Sequence, residues 1–274
     1  MTARDEPLDV VFLDSWHSDR ARGTGSAVAI TGLAGGLREL GHRVRILRPG
    51  KMSPLHDVTR LWYNVSLRRR LAHVHADLVV GFDFDGCFRA TGGATYVVSL
   101  KGVMADELKY ESGVDRLRFI ALSRLEGRNA RRADTVIVTS EHSRRAAVEA
   151  YGLDSGRVRV VPEGIDTAVW RNLPTRAPAG SRARIVSVAR QYRRKNTETL
   201  LRAMPLVRRH SPTASLRVVG DGPELPRLRS LATTLALDDG CVTFVGSVGG
   251  REAVQRELMD ADVFCLPSRQ EGFG

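Results

Sequence analysis

The feature that most constrains this chain is the alternation of two hydrophobic periods along its length. Short runs rich in β-branched residues fall at 8–13, 43–47, 78–82, 96–100, 135–139 and 158–161. They have the length and composition of buried strands. The segments between them carry apolar residues three and four apart, the spacing of one helix face. Helices are predicted over 28–40, 59–74 and 105–132 (interrupted near Gly113), and from an N-cap at Ser140 to Gly152. A chain that alternates in this way forms a mostly parallel sheet with helices on both faces.

The pattern breaks once. Residues 172–183, NLPTRAPAGSRA, hold two prolines, one glycine and no periodicity, which is the composition of a linker. The alternation then restarts: strands at 185–189, 216–219, 242–245 and 263–266, with a helix capped by Asn196, one from Glu224 and one ending near Met259. The run 263–266 reads as a buried parallel strand ended by Pro267, because proline cannot donate to a sheet ladder. The expected organisation is a Rossmann-like domain over 1–171, a linker over 172–183 and a second doubly wound unit over 184–274. A cleft is expected where the carboxyl edges of the two sheets face each other. With four strands the second unit is expected to be incomplete.

Composition excludes several classes. The longest apolar runs are strand-sized, too short to span a membrane. The opening MTARDEPLDVVFLD carries acids and reaches a strand at once, unlike a secretory signal, so a cytoplasmic location is expected. Cys87, Cys241 and Cys265 lack metal-site spacing and read as core thiols. The formal net charge is +11, yet only four of the 42 basic residues are lysine, and the arginines are spread over nearly every segment. That dispersal, with 6% aromatic residues rarely beside the arginine runs, disfavours a specific nucleic-acid-binding module. Such a module remains the alternative from a different functional class.

Candidate chemistry gathers at the carboxyl ends of strands. Arg190-Gln191-Tyr192-Arg193-Arg194-Lys195 joins a strand to a helix N-terminus, where cations and free N–H groups suit a phosphate or diphosphate. Val219-Gly220-Asp221-Gly222-Pro223 forms a glycine-flanked turn at the next strand end. Glu271 sits in a loop with Gly272, Phe273 and Gly274, a charged acceptor beside backbone that can approach a ligand closely. In the first unit, Arg22-Gly23-Thr24-Gly25-Ser26 precedes a helix. It departs from the dinucleotide fingerprint because Val28 stands at the third glycine position. A phosphate-facing loop through Gly23 and Gly25 and a plain turn are both open readings. Lys101, before Gly102 at another strand end, is one of only four lysines and is expected to point into the cleft.

Taken together, these motifs resemble the GT-B glycosyltransferases of group 4, retaining enzymes that move a sugar from a nucleotide donor. VVPEGIDTAVW (160–170) looks like the family's segment before the interdomain linker, and SVARQYRRKN (187–196) like its Arg…Lys diphosphate pair. VVGDGPELPRL (218–228) is similar to its Gly-x-Gly-Pro turn, and ADVFCLPSRQEGFG (261–274) to the opening of its Glu-x7-Glu motif. The resemblance implies that Arg190 and Lys195 neutralise the departing nucleotide diphosphate and that Glu271 accepts hydrogen bonds from sugar hydroxyls. It also implies that Gly272, Phe273 and Gly274 offer backbone N–H groups to the donor, that Gly23, Gly25, Gly220 and Gly222 approach it, and that Lys101 lies on the acceptor side. The acceptor would be a small molecule, a glycan or a lipid-linked sugar. No cofactor or metal is implied, the two cations supplying the positive charge. The family often has His-Gly where this chain has Lys101-Gly102, so no base role is assigned to Lys101.

The second glutamate of the motif would follow Gly274, so the 274-residue chain is expected to be inactive or impaired, and a non-catalytic remnant is a further alternative. Trp62 and Tyr63 near Arg68, Arg69 and Arg70 on the 59–74 helix allow two readings. One is contact with an anionic membrane at its inner face; the other, favoured from sequence alone, is an ordinary surface helix packing its apolar face on the sheet.

Overall fold

The computed structural model describes residues 6–16, 25–50, 56–89, 93–171, 183–237 and 240–273. Gly23, Gly274 and all of the expected linker except Ala183 lie outside them. The chain divides into two compact units, Met1–Ile165 with Gly272–Gly274, and Asp166–Glu271.

The first unit runs β1 (Asp9–Leu13), α1 (Gly25–Glu39), β2 (Arg43–Leu47), α2 (His56–Arg70), β3 (Leu78–Phe82), β4 (Thr95–Leu100), α3 (Met104–Glu107), α4 (Gly113–Arg132), β5 (Thr135–Val138), α5 (Glu141–Tyr151) and β6 (Val158–Val160). Its six strands lie in the order β2-β1-β3-β4-β5-β6, and every adjacent pair is parallel. β1 is the hinge of this order: Val10 pairs with Val44 on one side and with Leu78 on the other. Alternate side chains of the strands feed two apolar layers. Val11, Leu13, Val79, Tyr96, Val98 and Val136 belong to one face, and Val10, Phe12, Val80, Phe82 and Val97 to the other, with Ile30 and Ala34 of α1 packed on the second. Period-two alternation with both faces buried is why these strands read as nearly continuous apolar runs. Ser140 caps α5 as predicted, its hydroxyl accepting from the Ser143 N–H.

The second unit runs α6 (Thr167–Arg171), β7 (Arg184–Val188), α7 (Thr197–His210), β8 (Ser215–Val219), α8 (Leu225–Thr234), β9 (Val242–Gly246), α9 (Gly250–Met259) and β10 (Val263–Phe264). Its strands are again parallel, in the order β10-β7-β8-β9. Leu200, Leu201 and Met204 of α7 pack with Leu216 and Val218 of β8 and Leu228 of α8 to form its core.

Three sequence expectations are corrected. The run 263–266 is not a buried strand: β10 is two residues long at the sheet edge, and Val263 and Phe264 are 51% and 52% exposed. An apolar run carries no information on whether its strand is central or at an edge. Asn196 does not cap α7 through its side chain, since its backbone is left-handed at φ 58° and its amide donates instead to the Pro267 carbonyl at 3.1 Å. The helix over 59–74 begins earlier, at His56, and packs Tyr63 and Leu67 into the core as a surface helix would, but Leu61 and Val65 are not on that side. Val58, Leu61, Trp62 and Val65 are exposed, while Arg60, Tyr63 and Asn64 are buried.

Candidate functional site

In each unit the strand order reverses once, between β1 and β3 in the first and between β7 and β10 in the second. The loops leaving two strands at such a point diverge to opposite sides of the sheet, and the crevice between them is the usual ligand site of open α/β sheets.

In the second unit, the loop after β7 carries Arg190 and Lys195, and the segment after β10 carries Glu271. Although 76 residues apart in sequence, Lys195 and Glu271 meet: Lys195 Nζ donates to Glu271 Oε1 at 2.6 Å and to Oε2 at 2.7 Å. Their side chains are 15% and 23% exposed, so the pair is part-buried with an edge to solvent. Arg190 is exposed, with its guanidinium 5.6 Å from the centre of the Tyr192 ring.

The backbone beneath these groups is laced tightly. Ala189 N–H donates to Val219 O at 3.0 Å, Gln191 N–H to Asp221 O at 3.0 Å, and Glu224 N–H returns to Gln191 O at 3.0 Å. Arg269 N–H donates to Arg194 O at 2.8 Å, tying the segment after β10 to the loop after β7. Gln191 is fully buried, its amide donating to Ala189 O at 2.7 Å and accepting from the Thr197 hydroxyl at 2.8 Å. Gly220, at φ 114°, could not carry a Cβ without striking the Ala189 carbonyl, and a Cβ on Gly222 would meet the Gln191 backbone at 2.6 Å. Both glycines therefore have a clear role in letting this turn lie on the Arg190 loop. A separate cavity of about 280 Å³ lies beside the α7 N-terminus and is crossed by the Glu198–Arg227 ion pair; neither Lys195 nor Glu271 lines it.

The corresponding crevice of the first unit is filled by the protein itself. Asp85 accepts from the Ser15 N–H at 2.8 Å, the Ser15 hydroxyl at 2.7 Å and the Asn64 amide at 3.0 Å. Asp83 accepts from the Trp16 indole at 3.0 Å and from the Lys101 N–H at 2.9 Å. Asn129 of α4 donates to both aspartate carbonyls, at 2.8 and 3.1 Å. Arg60 reaches in from α2, donates to the Ser15 hydroxyl at 2.8 Å, lies 3.7 Å from Asp85, and is flanked by the rings of Trp16 at 4.5 Å and Phe84 at 3.9 Å. Burial pushes the carboxyl groups of Asp83 and Asp85 above the usual aspartate range, against the opposing pull of Arg60. Nearby, Glu126 accepts from the Tyr151 hydroxyl and the Met104 N–H, and burial raises its carboxyl well above the usual value.

Sequence reasoning missed this network. The signal available was Gly81-Phe-Asp-Phe-Asp-Gly86 at a strand end, two acids between two glycines. Lys101 stands at the edge of the network, but its ammonium is paired with Glu163 at 2.7 Å and its side chain is only 8% exposed. Glu163 lies within the 160–170 segment, where no role was assigned to it. Gly25 opens α1. Gly272 and Phe273 group with the first unit, where the Gly272 carbonyl accepts from the hydroxyls of Thr139, Ser140 and Ser143 at 2.8, 2.8 and 2.9 Å. Among the described residues no group of three or more His, Cys, Asp or Glu side chains is placed to hold a metal ion.

Known proteins show the same architecture. A solved sucrose-phosphate synthase from Thermosynechococcus elongatus superposes with a TM-score of 0.74 at 21% identity, covering 97% of this chain and 77% of that one. The structure of WaaG, a glycosyltransferase involved in lipopolysaccharide biosynthesis, superposes with a TM-score of 0.70 at 19% identity, over 96% and 75%. In sequence, a GDP-mannose-dependent alpha-(1-6)-phosphatidylinositol monomannoside mannosyltransferase of Mycobacterium tuberculosis is 28% identical over 256 residues, 88% of this chain. The chain spans 60% of that relative's length. Residues 182–274 match the family model for glycosyl transferases group 1. Residues 23–169, more than half of the chain, match that for Glycosyltransferase Family 4. The two sheets are those of a GT-B fold, and the chain belongs to glycosyltransferase family 4.

Proposed function

We propose that this chain binds a nucleotide-diphosphate sugar on its second unit and transfers the sugar, with retention of configuration, to a glycan, small-molecule or lipid-linked acceptor. The observation that carries this reading is the Lys195–Glu271 pair at the β7/β10 switch point, with Arg190 on the same loop. A diphosphate bound there takes charge-assisted hydrogen bonds from Arg190 and Lys195. Those contacts strengthen as negative charge builds on the departing nucleotide, so they lower the barrier rather than merely tightening binding. Glu271 accepts from hydroxyls of the transferred sugar, and its grip on Lys195 sets both groups at one spacing. Gly272, Phe273 and Gly274 supply N–H groups to the sugar and phosphate, and Gly23, Gly25, Gly220 and Gly222 allow close backbone approach. Lys101, braced by Glu163, lies on the acceptor side. The two cations replace a metal ion, so a chelator leaves donor binding unchanged.

The test is a transfer assay with a donor panel headed by GDP-mannose, because the Mycobacterium relative is named as GDP-mannose-dependent. Retention is read from the anomeric configuration of the product. One donor should be turned over, slowly if the 274-residue chain is impaired as expected, and Arg190→Ala and Glu271→Ala should each abolish most of that turnover. Full activity in both variants would overturn the roles assigned here. Donor binding without transfer to any acceptor would instead identify a non-catalytic descendant.

A further inference from the structure

Lys101 is a cation kept largely out of water. It follows β4, its backbone N–H donates to Asp83 Oδ1 at 2.9 Å, and its side chain is only 8% exposed. The ammonium lies 5.4 Å from the centre of the Phe82 ring and is paired with Glu163 Oε1 at 2.7 Å. A charge withdrawn from water needs a counter-charge, and Glu163 supplies it. An ammonium carries three N–H donors, and Glu163 Oε1 takes one of them.

Glu163 is held less firmly than its partner. It lies in the segment after β6, where residues 161, 162 and 164–166 are exposed and Glu163 turns inward between them. A Cβ on Gly164 would meet nothing within 4 Å, so the chain beside Glu163 is not packed against other atoms there. The Glu163 side chain is 23% exposed, and on leaving Lys101 it returns to water that it already touches. The pair thus joins a fixed, dehydrated cation to a carboxylate on a sparsely packed loop.

We infer that Glu163 stands in for the ligand of Lys101, and that the acceptor carries a phosphate monoester which displaces it. The inference rests on the acceptor-side reading of Lys101 given above. With Glu163 in place the ammonium is already dehydrated, so exchanging one anion for another adds little desolvation of the lysine. A phosphate monoester brings roughly −1.5 to −2 of charge and three acceptor oxygens at neutral pH. It therefore outcompetes a carboxylate and engages donors that Glu163 leaves open. A phosphodiester, as in a lipid headgroup, has the same single charge as Glu163 and lacks that advantage. A further carboxylate, Glu107, reaches this turn from α3, since a Cβ on Gly102 would meet its Oε1 at 2.7 Å. An anion therefore gains only by meeting the ammonium itself.

The experiment is calorimetric titration of glycerol 1-phosphate into the full chain carrying Arg190→Ala and Lys195→Ala. That background removes the cations proposed for the donor diphosphate and keeps Lys101. Binding is expected, and on the order of tenfold weaker binding for the diester glycerophosphoglycerol and for glycerate. Adding Glu163→Gln should tighten the monoester by on the order of tenfold, because the competing charge is gone. Adding Lys101→Met should abolish binding, with melting curves showing that each variant is folded. If Lys101→Met unfolds, the direction of the Glu163→Gln effect still decides. No binding of the monoester, unchanged or weaker binding in Glu163→Gln, retained binding in a folded Lys101→Met, or equal affinity for the diester would overturn the proposal. No donor enters the titration, so such a result leaves sugar transfer, which is read by turnover, untouched.

Discussion

The two units place a topological switch point at equivalent positions and use them in opposite ways. Between β1 and β3 the crevice is lined by Asp83, Asp85, Arg60, Asn64 and Ser15, all almost wholly buried, with Ser15 and Asn64 donating to Asp85 and Arg60 donating to Ser15. Between β7 and β10 the described residues include a part-buried pair with an edge to solvent, Lys195 with Glu271. Buried charges that have found partners fix structure, and removing one leaves the other uncompensated. Charges at a surface cost little to separate, so a ligand can enter between them. The contrast fits a structural role at the first switch point and the proposed binding role at the second.

Arg60→Ala should do the most damage. It strips the cation from Asp85 and Asp83 and empties the space between the Trp16 and Phe84 rings. A loss of roughly 3–5 kcal/mol from the first unit is expected in denaturant titration. A loss below about 1 kcal/mol would show that the network is not structural.

The buried acid Glu126 gives the first unit a pH dependence. Its carboxyl keeps its proton to a higher pH in the folded chain than in the unfolded one. Unfolding therefore releases a proton, and stability falls as pH rises from the ordinary glutamate value towards the raised one. In Glu126→Gln that slope should shrink, so melting curves from acid to neutral pH should diverge from wild type in the variant's favour. Parallel curves would place the proton elsewhere.

Gly220→Ala addresses the lacing under the second switch point. A Cβ there collides with the Ala189 carbonyl and meets a left-handed backbone, so roughly 1–3 kcal/mol should be lost from the second unit. The smallest effect on stability should come from Lys195→Ala, on the order of 1 kcal/mol, because Glu271 keeps an edge to solvent. A large loss would make the Lys195–Glu271 pair a structural element like its buried counterpart and erase the distinction.

Much of the fold was legible in the sequence because parallel strands are apolar on both faces. Residues 43–47 and 78–82 coincide with β2 and β3. The orientation of α2 was not legible. Periodicity does not say that Tyr63 and Leu67 pack inward while Trp62 and Val65 stay exposed, and one partner of the buried side, Asp85, lies 25 residues beyond Arg60 in sequence. The exposure of β10 was hidden for a similar reason, since burial of an apolar run depends on which strands flank it. For the candidate site, Arg190, Lys195 and Glu271 could be named because each follows a strand end. The pairing of Lys195 with Glu271 and of Lys101 with Glu163 needed the strand order and the loop paths. Gly220 and Gly222 could be named from the turn they flank, but the Ala189 and Gln191 backbone against which they lie needed the structure.

The most direct test of a binding role for the second switch point is a calorimetric titration of nucleoside diphosphate into the wild-type chain and into Lys195→Ala. Wild-type binding should weaken roughly 10- to 100-fold in the variant, the loss of one charge-assisted contact to a diphosphate. Equal affinity in the two proteins, with the fold intact, would contradict the assignment.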